Sequence, residues 1–107
     1  MSYDVSLTID TGGPSPAYIV TPDRNYTSNL AEMWADAGLR LPDCDGKLAR
    51  DALKLLRPAL ELLEGNPEHF RAMEPENGWG SYEGGISFLR ALYCDWTHHP
   101  WTTVHVS

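Results

Sequence analysis

The C-terminal third of the chain holds the side chains best suited to bind a metal or run a nucleophilic reaction: Cys94, Asp95, His98, His99 and His105. On a helix, Cys94 and His98 stand four residues apart on one face, and Asp95 adds a carboxylate three residues before His98. Zinc sites draw on two such clusters, and the first half of the chain offers only Cys44 with Asp43 or Asp45. No metal and no cofactor is therefore expected. Cys94 lies near the apolar side of its segment and reads as a small buried thiol. Two cysteines fifty residues apart do not make a disulfide framework. Glu74, Glu76 and Glu83 offer the paired carboxylates of acid–base chemistry, yet a chain with 15 acidic residues places glutamates together by chance. No serine sits in a G-x-S-x-G elbow or an S-x-x-K pair. The expectation is a protein without catalytic residues.

Binding chemistry is better represented. "EPENGWGSYEGGI" at 74–86 sets Asn77, Trp79 and Tyr82 among four glycines, and "DRNYTSN" carries Asn25, Tyr26, Thr27 and Asn29. The glycines lack the P-loop lysine and the preceding parallel strand of a dinucleotide fingerprint, so no nucleotide is implied. Two readings remain. Ser28, Asn29 and Ser81 act as helix caps while the aromatic rings cover the edge of the core. Alternatively, Asn25, Tyr26, Thr27, Asn77, Trp79 and Tyr82 form a recognition surface, since aromatic and amide side chains give contact area and adaptable hydrogen bonds. The N–H groups of two helix starts would then be available to an anion or carboxylate.

The elements that position these residues follow from periodicity. Tyr3, Val5, Leu7 and Ile9 alternate with polar residues, the period of a half-buried strand. "TGGPSP" at 11–16 breaks it, and "AYIV" at 17–20 reads as the second strand of an antiparallel hairpin. Leu30, Met33, Trp34 and Ala37 recur at helical spacing after a cap at Ser28 or Asn29 and before Gly38. Residues 46–64 place Leu48, Ala52, Leu55, Leu56, Ala59, Leu60 and Leu63 in one stripe, with Pro58 predicting a kink or a break. Residues 67–73 read as one further helical turn. Ile86, Leu89, Leu92, Tyr93 and Trp96 mark a last helix beginning near Ser81, and "WTTVHVS" predicts a closing strand paired with the N-terminal hairpin. The expected architecture is a single α+β domain over 1–107, a small antiparallel sheet against about three helices, in the order β-β-α-α-α-β.

Composition bounds the partners. With 15 acidic against 8 basic residues the formal net charge is −7, which disfavours a phosphate backbone. No apolar run approaches the roughly 20 residues of a membrane span, and no signal peptide is visible at MSYDVSLTID, so a cytoplasmic protein without nucleic-acid or membrane partners is expected.

"YDVSLTIDTGGP", "NYTSN", "LPDCDGKLARDALKLLRPALELL" and "NPEHFRAMEPENGWGSYEGGISFLRAL" together resemble small bacteriophage and prophage proteins of actinobacteria, over nearly the whole chain. That family has no assigned activity or catalytic residues. The resemblance implies an accessory protein in an infected bacterium, acting by binding a host or phage protein or by pairing with a second copy as a homodimer. The alternative is a small-molecule-binding pocket or small hydrolase built on the 25–29 and 76–83 loops, with Glu76, Glu83 or His69 as its titratable groups.

Overall fold

The computed structural model describes residues 2–9, 18–21 and 23–107. Strand β1 (Ser2–Ile9) is the organising element. Its alternation sends Val5 and Leu7 into the core, while Ile9 at the strand end is exposed. Three strands pair with it, all antiparallel: β2 (Tyr18–Ile19), β3 (Arg24–Thr27) and β4 (Thr103–Val106). Val5 stands between Arg24 and Val106, and Thr8 between Ile19 and Thr103. β2 and β3 therefore share one edge of β1 and β4 takes the other. The pairing register shifts by two residues between β2 and β3, so they act as one interrupted strand. The expected hairpin and the pairing of the last strand with the first are both present. The TGGPSP turn lies outside the described residues.

β3 is the main departure from the sequence reading. Residues 24–27 form a strand where only the stretch leading into a helix was expected, and the order becomes β-β-β-α-α-α-α-β within the same α+β class. Thr27, rather than Ser28 or Asn29, supplies the cap: its Oγ1 accepts from the Asn29 N–H at 3.2 Å. A 3-10 turn (Ser28–Leu30) follows and leads into α1 (Ala31–Asp36).

α2 (Ala49–Gly65) runs unbroken through Pro58. Pro58 is exposed, which leaves the carbonyl of Lys54, whose helical N–H partner is missing, on the solvent side. The buried stripe is Ala49, Ala52, Leu56, Ala59, Leu60 and Leu63; Leu55 sits on its rim, exposed. α3 (Pro67–Arg71) begins with proline at its first position, and α4 (Tyr82–His98) packs along α2. Trp34 and Trp96 are the largest fully buried side chains. Trp34 stacks on Phe88 at 5.8 Å, with Tyr3 at 6.1 Å and Tyr26 at 6.3 Å, so four rings tie β1, β3, α1 and α4 together. Trp101, expected in the closing strand, precedes it and is 70% exposed, with the Arg50 guanidinium 4.4 Å above its ring.

Candidate functional site

The two sequence patches meet. Asn25, Tyr26 and Thr27 of β3, with Asn29 beyond it, share an open groove of about 660 Å³ with Ser2, Trp79 and Gly80. What brings them together is the start of α4. The Tyr26 hydroxyl accepts from the Ser81 N–H at 3.1 Å and reaches the Ser81 carbonyl at 3.4 Å. A Cβ on Gly84 would fall 2.3 Å from that same hydroxyl, so only glycine lets β3 approach the helix here. The Gly84–Gly85 pair thus lies inside the first turn of α4 as a packing feature, not in the loop before it. Arg24, at the other end of β3, grips Asp95 of α4 through both guanidinium Nε and Nη2. This hydrogen-bonded carboxylate raises an already basic Arg24 further.

Trp79 faces outward. It is 69% exposed, and its backbone is fixed on both sides. The Asn77 Oδ1 accepts from the Trp79 N–H at 2.9 Å, an Asx turn, and the Asn29 Nδ2 donates to the Trp79 carbonyl at 3.4 Å. Gly80 has φ +99°, a conformation closed to side chains, and a Cβ there would lie 2.7 Å from the Thr27 methyl. The exposed indole thus stands on a backbone held by two amides and a glycine.

Tyr82 does not belong to this surface. It is 6% exposed, donates its hydroxyl to the Leu63 carbonyl of α2, and lies under the Arg71 guanidinium at 5.2 Å. It is a core residue, because the first turn of α4 must bury one face against α2 and α3. Asn77 contributes by shaping the turn. The helix start expected to offer free N–H groups is occupied: the Gly84 N–H donates to Ser81 Oγ at 3.0 Å and the Tyr82 N–H to Glu74 Oε1 at 3.1 Å.

Asn25 spends its Nδ2 on Ser2, Tyr3 and Asp4, the shortest of these bonds being 2.8 Å to Asp4 Oδ1. Among the described residues the groove lining contains no carboxylate, imidazole or thiol. The titratable candidates lie elsewhere: His69 pairs with Asp36 at 2.7 Å, Glu83 with Arg71 at 2.7 Å, and Glu76 is exposed.

Cys94 does not take its expected role as the buried thiol. Cys94 is exposed, and Cys44 is the buried thiol, its pKa pushed up to about 11, chiefly by burial and secondarily by Asp43. His98 Nδ1 lies 2.7 Å from the Cys94 carbonyl, which only an N–H can satisfy, so this nitrogen has no lone pair to offer a metal or the neighbouring thiol. Asp95, expected beside His98, is committed to Arg24. Sequence reasoning missed β3 and the glycine contact at Gly84; the signal available was the β-branched and aromatic "NYT" beside an already strand-like terminus.

No protein-family model, curated protein or solved structure matches this chain.

Proposed function

We propose that this protein acts by binding, capturing a protein partner through the Trp79 groove, and that it performs no catalysis. The observation that supports this most is the outward indole of Trp79, whose backbone is held by Asn77 and Asn29 beside β3. Indole rings are enriched among the energetic anchors of protein interfaces, and a backbone already fixed in the free protein forfeits little entropy on binding. The uncharged polar lining favours recognition over acid–base chemistry. The family resemblance suggests the setting: an accessory protein in the cytoplasm of an infected actinobacterial cell, with a host or phage protein as its target.

A photo-cross-linker placed at Glu76, on the loop beside Trp79, tests this in cells. Covalent capture of one protein from position 76, and none from Lys54 on α2, is the expected result. Equal capture from both positions, or none from 76, would count against the groove. The competing reading, a small molecule in the same groove, gains from the amide side chains of Asn25 and Asn29 in its lining. Native mass spectrometry of the purified protein decides it, since a retained ligand appears as a fixed added mass.

A further inference from the structure

The two outer edges of the sheet are treated differently. On β4, the chain before α2 covers the edge: the Gly46 N–H donates to the Val104 carbonyl at 2.8 Å, and the Val104 N–H to Lys47 at 2.8 Å. The Ala49 N–H adds a bond to Thr102 at 2.8 Å, and Asp45 Oδ1 takes the Val106 N–H at 2.8 Å. On β3, no strand other than β1 is paired among the described residues.

Hydrogen-bond alternation shows which groups of β3 face its outer edge. Asp4 exchanges both of its backbone bonds with Ser107, at 3.0 and 2.9 Å, so its N–H and C=O point towards β4. Leu7 points the other way, receiving the Val20 N–H at 2.8 Å. Odd-numbered residues of β1 therefore bond to the β3 side and even-numbered ones to β4. Asp4 stands opposite Asn25, and Ser2 opposite Thr27. Asn25 and Thr27 must then direct their N–H groups away from β1, to the outer edge, while Tyr26 bonds inward. Natural edges are blunted by lysine, proline, bulges or a covering segment. Asn25, Tyr26 and Thr27 carry no charge, and the one charged residue of β3, Arg24, is tied to Asp95.

We infer that the β3 edge receives an extended peptide segment of the partner as an added strand, with an apolar or aromatic partner residue covering Trp79. This rests on the reading of the groove as the partner site. Main-chain bonds to Asn25 and Thr27 supply register, and Trp79 supplies the apolar anchor. The groove takes in all three residues Asn25–Thr27 and is concave, so a chain segment fills it. Edge-to-edge pairing of a second copy is the competing occupant, and the concentration dependence of amide exchange separates it. The uncharged lining selects a segment free of charged residues where it crosses the strand.

The backbone of Thr27 provides a direct test. Its φ of −64° is that of proline, so Thr27→Pro removes the outward N–H without straining the chain. Thr27→Ala deletes the same capping hydroxyl but keeps the N–H. Random linear peptides are selected by display on the intact protein, and the best binder is resynthesised with a single backbone N-methyl group moved along it. Strand addition predicts loss of binding at alternate methyl positions and slowed exchange of the Asn25 amide. It also predicts an affinity loss at least about tenfold greater for Thr27→Pro than for Thr27→Ala. Three results overturn it: no peptide selected, binding insensitive to methyl position, or slowed Asn25 exchange that instead tracks self-association. Each of these leaves cross-linking from Glu76, the test of the partner site itself, free to succeed.

Discussion

Trp79 and Tyr82 stand three residues apart and answer to different physics. Trp79→Ala removes an exposed ring and is expected to change stability by no more than about 0.5 kcal/mol. Tyr82→Ala empties a core position and severs the bond to Leu63, a loss of about 3–5 kcal/mol. Tyr82→Phe isolates the hydroxyl and costs about 1 kcal/mol. Urea unfolding of the three variants measures all of this. Sequence reasoning grouped the two rings because both sit among glycines. A glycine on each side does point Trp79 outward, but the direction of Tyr82 depends on where α4 begins and what α2 and α3 present to its first turn. Cys94 was misread for a local reason. Leu92 and Trp96 lie in the core, and Cys94, about 200° of helical rotation from each, must face away. A stricter count of the period finds that from sequence alone.

At the scale of elements, the strands and helices with a strong internal period were legible: β1 by alternation, α2 by its stripe, α4 by Leu89, Leu92 and Trp96. β3 was not, because two of its four residues, Asn25 and Thr27, belong to an edge that buries little. Its strand state comes from β1, some twenty residues away in sequence, and no local propensity encodes that pairing. Its attachment to α4 rests on Gly84. Gly84→Ala drives a methyl group into the Tyr26 hydroxyl and should cost about 1–3 kcal/mol, although alanine is the better helix former. Circular dichroism melting checks the sign, and a stabilised variant would contradict the close approach. Pro58 makes the opposite case. The helix passes through it unbroken, so Pro58→Ala restores one backbone bond on an exposed face and is expected to stabilise by about 1–3 kcal/mol. If the variant is instead less stable in urea, the helix depends on its proline.

Over the whole molecule, stability couples to pH through a buried thiol far from the groove. An unfolded cysteine ionises near 9.0, and the folded Cys44 near 11. Below about pH 9 both states hold the proton and the contribution of burial is intact. Between about pH 9 and 11 the unfolded chain releases its proton while the folded protein keeps it, so stability falls as pH rises, by on the order of 1–3 kcal/mol across the window. Urea midpoints across that range, compared with Cys44→Ala, isolate the effect, and parallel slopes for the two proteins would refute it. The formal net charge is −7, while the described residues of the groove lining carry no charge. The first and last strands meet in the sheet, so the frame beneath β3 is completed only when β4 closes on β1. The groove was legible in the sequence as two separate patches, and their meeting required the tertiary contact of Tyr26 with Ser81.

The role proposed for the outward Trp79 indole is the capture of a protein partner. Partner capture and thermal unfolding of Trp79→Ala, measured side by side, test it most directly. Capture is expected to be lost while the melting temperature stays within about 4 °C of the parent. Retained capture, or a melting temperature lowered well beyond that margin, would contradict it.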